Sequence, residues 1–451
     1  MTPGFLVGID VGTTYCKAAV VDGDGAARAH GRVLTPWRRV PTGAEVEPER
    51  LVQAAVSAAG RALERSPAAR IEAVGVTSMA ETGSLLDADG EPVAPAIAWH
   101  DERGAKEADA LKRDLGNERF TAATGLPASP LCTLSKYRWL RSYHDGSERG
   151  VRWLNVAEWI VRSLGGDEAG DLSLGSRTGM LEVDRRAPWS EALEWAKAPA
   201  GLLPAPAPPG TPAGRVTRGL EQARGAVLCV AGHDHLCAAV GAGAVREGDV
   251  LDSCGTAEAF VRSVEPPLPA ERRLRAVAGG VTVGWHVLPD RLALLGALES
   301  GLALQRVRRL LGVEDADELD AEALAVSAGA GGLTLEDLTG LPVSLAGLPY
   351  EASRAEVWRA ALEALATRGK AVLRTIEELA GPTSRIVVTG GGARSEAMLA
   401  IKRSALGPFE RPPVREAGAR GAALLAGCAA GVFSGIGELP APEAAAMEAY
   451  S

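Results

Sequence analysis

Near its start the chain reads Gly8-Ile9-Asp10-Val11-Gly12-Thr13-Thr14, a glycine and threonine turn set between two apolar runs. The first run, residues 5–10, ends in an acid, and the second, residues 17–21, leads into the hairpin turn Asp22-Gly23-Asp24-Gly25. Apolar runs separated by such turns predict a β-meander. The chain therefore begins with strands, and the turn between the first two is a candidate binding site.

The turn Gly12-Thr13-Thr14 has the chemistry of a phosphate site. Glycine lets consecutive backbone N–H groups approach a phosphate closely, and the threonine hydroxyls add contacts. Asp10 is suited to hold Mg²⁺ through its water shell, because Mg²⁺ keeps several waters and takes one or two carboxylates. Lys17 would add positive charge near a transferred phosphoryl group. The alternative is an ordinary hairpin, which is the more frequent explanation for such a turn in isolation.

Strand and helix patterns alternate beyond the opening meander. Apolar residues recur at helical spacing over residues 48–65, and the buried-strand pattern Val74-Gly75-Val76 follows. A second hairpin turn comes at Asp89-Gly90. This alternation predicts an α/β architecture.

The second half of the chain repeats this plan after an irregular connection. Residues 202–214 are dense in proline and alanine, which indicates a connection rather than a core element. From Val227 the pattern predicts a strand, a turn at residues 232–235, a small-residue helix and a further strand. We predict two domains, at residues 1–243 and 244–451.

Length and composition limit the classes of function. A chain of 451 residues fits two large domains better than one, with a cleft between them as a ligand site. The net charge is −9, and no cluster of basic residues with interleaved aromatics is present, which argues against nucleic acid as a partner. The absence of signal-peptide and membrane-span patterns predicts a cytoplasmic protein without a membrane partner. Six dispersed cysteines without a CxxC pair favour reduced thiols.

Two further glycine turns follow predicted strands. One is Ser253-Cys254-Gly255-Thr256, and the other runs from Thr389 to the glycines 390–392. Each would let backbone approach a phosphate or adenosine, and each is a weak signal by itself. Three such turns spread over two halves resemble the superfamily of actin, Hsp70 and sugar kinases, in which the nucleotide lies between two domains.

Within that superfamily the chain resembles the FGGY family of carbohydrate kinases, which includes xylulokinase and glycerol kinase. The resemblance covers nearly the whole chain and rests on the order and spacing of several blocks. Besides the opening motif, these are Ala98-Trp99-His100-Asp101-Glu102-Arg103, Lys136-Tyr137-Arg138-Trp139-Leu140, Asp171-Leu172-Ser173-Leu174-Gly175-Ser176-Arg177-Thr178, Pro209-Gly210-Thr211, Gly232-His233-Asp234, Gly255-Thr256 and Gly390-Gly391-Gly392-Ala393. The resemblance implies two ribonuclease-H-like, actin-like ATPase domains, each a mixed sheet flanked by helices, with the active site in the cleft between them.

The resemblance implies that Asp234 is the catalytic base. Phosphoryl transfer to an alcohol needs a group that orients and deprotonates the hydroxyl, and Asp234 occupies the place of the family's catalytic aspartate. With Asp10, it would also hold Mg²⁺ through water. The alternative is an aspartate that caps the following helix. His233 and His235 alternate without a third ligand in sequence, which favours packing or hydrogen bonding over a metal site.

The family places its sugar-binding loop at Ser78-Met79-Ala80-Glu81-Thr82. Glycerol kinases carry Arg-Glu-Thr here and many xylulokinases carry Met-His-Gly, so this chain keeps the glutamate but lacks its arginine neighbour. Glu81 and Thr82 are therefore predicted substrate contacts, with a surface turn as the alternative. Trp99 and Asp101 are predicted to line the same pocket, the ring against sugar C–H groups and the carboxylate on a hydroxyl. A structural tryptophan is the alternative for Trp99.

The nucleotide side is predicted from the later blocks. Gly301 and Gln305 look similar to glycerol kinase positions near the nucleotide, with helix packing as the alternative for Gly301. The remaining predicted contacts are Gly255, Thr256, Gly391, Gly392 and Ala393. Two departures leave the adenosine contacts open, because Arg394-Ser395-Glu396 lacks the asparagine of some relatives and Lys402-Arg403 replaces a common Ala-Asp pair.

The sequence thus predicts a kinase that uses ATP and Mg²⁺ to phosphorylate a small sugar or polyol, with a homodimer as an open option. Residues 99–103 favour a ketose such as a pentulose, whereas Glu81-Thr82 favours a glycerol-like or erythritol-like polyol. A nucleotide-dependent switch of the actin or Hsp70 kind is the rival from another class. Asp234, Glu81 and the block at residues 171–178 argue against it.

Overall fold

The computed structural model describes residues 4–66, 70–255, 257–336 and 344–442. Thr256, one of the predicted nucleotide contacts, lies outside the described residues. The strands of the described part, in chain order, are β1 (Phe5–Val11), β2 (Tyr15–Val21), β3 (Ala27–Leu34), β4 (Arg38–Val40), β5 (Gly43–Val46), β6 (Ile71–Ser78), β7 (Gly83–Leu86), β8 (Ala96–Ile97), β9 (Arg152–Asn155), β10 (Gly170–Asp171), β11 (Leu181–Glu182), β12 (Ala187–Pro188), β13 (Pro206–Ala207), β14 (Val227–His233), β15 (Asp249–Cys254), β16 (Glu258–Val264), β17 (Val281–Trp285), β18 (Leu292–Leu298), β19 (Thr334–Glu336), β20 (Ser344–Ala346) and β21 (Arg385–Thr389).

The first half is built on a five-stranded sheet in the order β14-β6-β1-β2-β3. β1 and β6 pair in parallel, as do β6 and β14, whereas β1, β2 and β3 form an antiparallel meander. The central strand β1 buries Leu6, Val7, Ile9 and Val11 completely, as expected for a strand covered on both faces. The predicted opening meander is confirmed.

The second half is built on a sheet in the order β17-β18-β16-β15-β21. Its strands β15, β16 and β18 form an antiparallel meander, and β15 pairs in parallel with β21. These four strands repeat the arrangement of β1, β2, β3 and β6, and β17 adds an antiparallel strand at the edge. The prediction that the second half repeats the first is therefore confirmed.

Helices cover both sheets. In chain order they are α1 (Pro48–Glu64), α2 (Ala105–Leu111), α3 (Asn117–Thr124), α4 (Thr133–Tyr143), α5 (Val156–Ser163), α6 (Leu172–Gly175), α7 (Ser190–Trp195), α8 (Asp234–Gly241), α9 (Ala270–Ala278), α10 (Ser300–Leu310), α11 (Ala316–Ala325), α12 (Arg354–Ala380), α13 (Glu396–Leu406) and α14 (Ala417–Ala429). α1 packs on one face of the first sheet and α14 on the other, while α12 packs on the second sheet. α8 contacts α14 and also β15 and β16, so α8 and α14 lie between the two sheets.

Glycines let α14 approach the first sheet at backbone distance. A Cβ atom on Gly8 of β1 would lie 1.7 Å from the Ala419 carbonyl oxygen, so this position has no room for a side chain. Gly241 at the end of α8 is equally close to α14, where its Cβ would lie 1.9 Å from the Ala417 oxygen. Helix α14 thus packs directly against the strand that carries Asp10.

The domain division at residue 243 stays a prediction. One element boundary differs from the pattern that the sequence predicted. The predicted turn at residues 232–235 is wrong, because β14 ends at His233 and α8 begins at Asp234. Gly232 makes the sharp bend with a φ of 105°, a left-handed conformation that glycine adopts without strain. No helix in the described ranges is long and apolar enough to cross a membrane.

Candidate active site

Three parallel strands bring distant parts of the chain to one edge of the first sheet. Val11 of β1 is in register with Ser78 of β6, and Ser78 is in register with His233 of β14. The residues that follow these three positions are the turn at residues 12–14, the loop at residues 79–82, and Asp234. The turn at residues 12–14, the loop at residues 79–82 and Asp234 therefore lie side by side at this edge of the sheet.

Asp234 is the first residue of α8 and is only partly buried, with 20% of its side chain exposed. Its Oδ1 accepts a hydrogen bond from the His235 backbone N–H at 2.7 Å and lies 3.2 Å from His233 Nε2. No hydrogen bond to Oδ2 is found in the described part of the chain. Burial alone would raise the pKa of this carboxyl, but His235, through its charge and its backbone N–H, and Lys17 outweigh burial and lower the pKa. An ionised carboxylate with a free oxygen can accept a proton.

The helix-capping alternative for Asp234 is not what the structure has. The N-cap residue of α8 is His233, and no side-chain cap hydrogen bond forms there. His233 is buried, and burial lowers its pKa to about 3, so its imidazole is neutral at physiological pH. His235 Nδ1 lies 3.3 Å from Ser253 Oγ on β15, which joins the Asp234 region to the second sheet. The His235 side chain is thus a hydrogen-bonding residue, whereas the buried His233 side chain contacts Asp234 through Nε2.

Asp10 and Lys17 lie opposite each other on β1 and β2. Lys17 Nζ forms an ion pair with Glu416 Oε2 at 3.0 Å. Burial raises the pKa of Asp10 to about 7, and the negative charges of Asp234 and Glu416 add to this while Lys17 opposes it. Four charged groups therefore influence one another at this edge, and Glu416 is a member that the sequence analysis missed.

These residues fit a magnesium ion held through water. Among the residues described, no cluster of three or more His, Cys, Asp or Glu side chains suits a directly bound metal. Mg²⁺ does not need such a cluster, since it takes one or two carboxylates and keeps several waters. Oδ1 of Asp10 is buried, and it has no hydrogen-bond partner in the part of the chain that the structure describes. A hydrated cation at this point would satisfy that oxygen and balance the acids around it.

The turn at residues 12–14 is held by side chains that reach it from elsewhere. Trp99 Nε1 donates to Thr13 Oγ1 at 2.8 Å, and Trp37 Nε1 donates to the Thr13 carbonyl oxygen at 2.7 Å. Thr35 Oγ1 donates to the Gly12 carbonyl oxygen at 2.8 Å. The indole bond occupies a lone pair of the Thr13 hydroxyl, which leaves its proton available to a ligand. Trp99 therefore connects the predicted sugar side with the phosphate turn.

Glu81 is held in an unusual conformation by a partner distant in sequence. Its φ of 58° lies in the left-handed region, which is strained for a residue with a side chain and typical of functional loops. Arg177 Nε donates to Glu81 Oε1 at 2.7 Å, and Arg177 Nη1 donates to Thr282 Oγ1 of β17 at 2.7 Å. An arginine from the block at residues 171–178 thus pairs with the glutamate of this loop.

Two predicted substrate contacts are fully buried. Asp101 is 0% exposed, and its oxygens accept from the Arg103 side chain and from the backbone N–H groups of Ala44 and Arg103. This arrangement does not support the prediction that Asp101 binds a sugar hydroxyl, because its carboxylate is already occupied by partners within the fold. Thr82 is also 0% exposed, and its Oγ1 has no hydrogen-bond partner in the described residues.

Lys136 is buried and bonds to the backbone of the predicted substrate segments that contain Glu81 and Trp99. Its Nζ donates to the carbonyl oxygens of Trp99 at 2.7 Å, Leu131 at 3.0 Å and Glu81 at 3.4 Å. Burial lowers the pKa of this amine to about 8. The resemblance had marked the block at residues 136–140, but no local pattern distinguishes Lys136 from the other polar residues of this helix.

The predicted nucleotide contacts of the second half lie on three elements. Gly255 follows β15, and its N–H is bonded within the turn to the carbonyl oxygens of Ser253 and Ala257. Gly391, Gly392 and Ala393 form a short 3₁₀ turn after β21, next to Cys254. Gly301 and Gln305 lie on α10, which packs on α12, and Gln305 is exposed. The second and third glycine turns are thus neighbours.

The comparison with protein families decides what this arrangement belongs to. The model described as the FGGY family of carbohydrate kinases, N-terminal domain, matches residues 5–241, and that of the C-terminal domain matches residues 256–430. The chain belongs to the FGGY family of carbohydrate kinases. The predicted enzyme class, a phosphotransferase that acts on a carbohydrate, and the predicted actin-like ATPase fold are both confirmed.

Individual FGGY proteins are similar along most of their length. A gluconokinase of Bacillus subtilis strain 168 is 25% identical over 434 residues, which cover 87% of this chain and 81% of the relative. A glycerol kinase of Aromatoleum aromaticum is 30% identical over 464 residues, which cover 96% and 92%. The crystal structure of a xylulose kinase from Rhodospirillum rubrum superposes with a TM-score of 0.83 at 24% identity, covering 96% of this chain and 92% of that one. The relatives differ in substrate, so the family name leaves the acceptor open.

Proposed function

We propose that this FGGY kinase transfers the γ-phosphoryl group of ATP to a hydroxyl of a small sugar or polyol, with Asp234 as the base. One observation carries the proposal. The ionised, partly exposed carboxylate of Asp234, the phosphate-type turn at residues 12–14 and the polar loop at residues 79–82 lie together at one edge of the first sheet. Each of the three alone is common, but together they supply what phosphoryl transfer to an alcohol requires.

Asp234 acts on the acceptor. Its Oδ2 accepts the proton of the substrate hydroxyl while the hydroxyl oxygen forms a bond to the γ-phosphorus and the bond to the ADP oxygen breaks. The lowered pKa keeps the carboxylate ionised before the proton moves. Oδ1 remains bonded to the His235 backbone N–H, which fixes the direction in which Oδ2 points.

The phosphate side combines a hydroxyl donor and a lysine with the acids Asp10 and Asp234. The turn at residues 12–14 offers the Thr13 hydroxyl, and Lys17 brings positive charge close to the base. Mg²⁺, held through water by Asp10 and Asp234, would neutralise phosphoryl oxygens when bound. Gly255, the turn at residues 391–393, and α10 with Gly301 and Gln305 would receive the rest of the nucleotide.

The acceptor is read by Glu81 together with Arg177. One oxygen of Glu81 is used by the guanidinium, which leaves the other free for a hydroxyl donor, while unused N–H groups of Arg177 can donate to a second hydroxyl oxygen. A neutral acceptor suits this site, since a substrate carboxylate would be repelled by Glu81, Asp10 and Asp234. A ketose such as a pentulose is the first choice, with Trp99 against its carbon face, and a glycerol-like or erythritol-like polyol is the second.

A panel of acceptors tests the proposal. We expect ADP release from Mg-ATP to need a neutral ketose or polyol, with gluconate as the acidic comparison. Asp234→Asn should slow transfer by at least about 100-fold, the contribution of a positioned base, while Mg-ADP still binds. Asp24→Asn, an exposed aspartate of the turn at residues 22–25, is the control and should keep full activity. Unchanged turnover in Asp234→Asn, or ADP release that ignores every acceptor, would contradict the proposal and favour the switch.

A further inference from the structure

A group of charged side chains is buried in the second half, away from Asp234. Lys402 of α13 is 0% exposed, and its Nζ donates to Asp252 Oδ2 at 2.5 Å and to Glu258 Oε1 at 2.7 Å. Asp252 is 0% and Glu258 is 1% exposed. The same Nζ lies 3.1 Å from Cys254 Sγ. We call Asp252, Glu258 and Lys402 the buried triad.

Stability alone does not explain the triad. Removing charges from water costs several kcal/mol per ion, and well-packed apolar residues often serve as well or better. Burial would lower the pKa of Lys402, yet the two carboxylates hold it well above its ordinary value, so the ammonium stays charged. Each member would be an unpaired buried charge without the others. The three residues must occur together and add little stability. We therefore look for a role in orienting the neighbouring backbone.

The triad lies where the second and third glycine turns meet. Asp252 and Glu258 are on β15 and β16, on either side of the turn that contains Gly255, and Lys402 bonds to both. Lys402 itself is on the helix that follows the third turn. A Cβ atom on Gly390 would lie 2.4 Å from the Cys254 carbonyl oxygen, so the two turns are in direct backbone contact. The Lys402 ammonium thus links β15 and β16, the strands on either side of Gly255, to α13, the helix that follows the third glycine turn.

The bonds of the triad are directional, and they include the turn itself. Cys254 Sγ donates to Asp252 Oδ1 at 3.3 Å, which holds the residue before Gly255. Hydrogen bonds of this kind set an orientation that apolar contacts would leave free, so they keep Cys254, the residue before Gly255, in one orientation. This chain has Lys402-Arg403 where relatives often carry Ala-Asp. Its Lys402 is paired with Asp252 on β15 and Glu258 on β16.

We propose that Asp252, Glu258 and Lys402 are positioning residues that hold the second and third glycine turns in the geometry that binds the nucleotide. This rests on the proposed function, in which those two turns receive ATP. The triad does not touch the acceptor, which belongs to the first half. Its loss should therefore weaken nucleotide binding and leave acceptor binding unchanged.

The first test compares the buried triad with a partly buried ion pair that shares only β15 with it. Lys402→Met should raise the dissociation constant of Mg-ADP, measured by calorimetry, at least about 10-fold, the result of losing one well-oriented contact. Arg385→Met is the matched control, because Arg385 pairs with Asp249 at 2.5 Å at the opposite end of β15 and β21. It should lower the unfolding midpoint and leave the dissociation constant within about twofold. Equal weakening in both variants would overturn the proposal.

A second variant separates position from stability. Asp252→Val with Glu258→Met and Lys402→Met removes all three charges together, so no buried charge is left unpaired and the protein should unfold close to the parent midpoint. We expect Mg-ADP affinity to stay reduced at least about 10-fold, with the KM for the acceptor unchanged. Parent-like Mg-ADP affinity in this variant would overturn the triad's role. Failure of the parent to bind Mg-ADP would instead refute the proposed function.

Discussion

The substitution Gly418→Ala should separate activity from stability at this site. Gly418 lies on α14, and a Cβ atom there would sit 2.6 Å from Asp10 Oδ2 and 3.0 Å from its Cγ. An ordinary carbon–oxygen contact is near 3.5 Å, so the methyl group arrives about 0.9 Å too close. Because α14 is fixed against the first sheet at Gly8, the Asp10 side chain must move instead of the helix.

The expected magnitudes follow from that displacement. Alanine in place of glycine favours a helix by up to about 1 kcal/mol, whereas an off-rotamer side chain costs about 0.5–1.5 kcal/mol. The two nearly cancel, so the free energy of unfolding of Gly418→Ala should lie within about 1 kcal/mol of the parent. Activity should fall much further, because a misplacement of about 1 Å in a reacting group can cost roughly 100-fold in rate.

Two measurements test this reasoning, urea unfolding and initial rates of ADP release with the best acceptor. Gly60→Ala in α1 is the control, since a Cβ at Gly60 meets nothing within 4 Å. That variant should be as stable as the parent or slightly more stable, and fully active. A fully active Gly418→Ala would refute the role of Asp10 in the reaction, and an unfolded one would show that the helix rather than the side chain yields.

Two further predictions concern the residues that hold the loops. Trp99→Phe keeps an aromatic face but loses the bond to Thr13 Oγ1, so the KM for ATP should rise by roughly 2–10-fold, the worth of one net hydrogen bond; an unchanged KM for ATP would contradict this. Lys136 has a pKa of about 8 in the folded protein, below its ordinary 10.5, so the unfolded chain binds the extra proton and stability rises with pH between these values. Urea unfolding across this pH range should show the free energy of unfolding of the parent rising by about 3 kcal/mol relative to that of Lys136→Met. If the free energies of unfolding of the two proteins changed in parallel with pH, the lowered pKa of Lys136 would be contradicted.

The strands and turns that carry the site were readable from the sequence because they depend on local patterns. The apolar runs around Asp10 and the glycines at residues 390–392 are contiguous, and contiguous patterns determine strands and turns. The bend at Gly232 was misread as a turn of several residues. One glycine at a φ of 105° makes the change from strand to helix without any intervening loop.

The partners of the site residues could not be read in the same way. Arg177 lies 96 residues after Glu81, and Lys402 lies 150 residues after Asp252, so only the folded chain brings them together. Asp101 illustrates the reverse error. Its carboxylate looked available for a hydroxyl, whereas the fold had already matched it to Arg103, two residues further along.

The charges of the site are divided unequally between the two halves. Asp10, Lys17, Glu81 and Asp234 all belong to the first sheet and its loops, whereas the turns predicted to face them from the second half carry no charged side chain before Arg394. The halves are joined beside the charged residues, by His235 to Ser253 and by Arg177 to Thr282. His235, which bonds to Ser253, follows Asp234 directly in the chain and donates its backbone N–H to it. Arg177, which bonds to Thr282, also pairs with Glu81. A change in the contact between the halves that broke the Arg177–Thr282 bond would therefore remove one of the two bonds that orient the arginine beside Glu81.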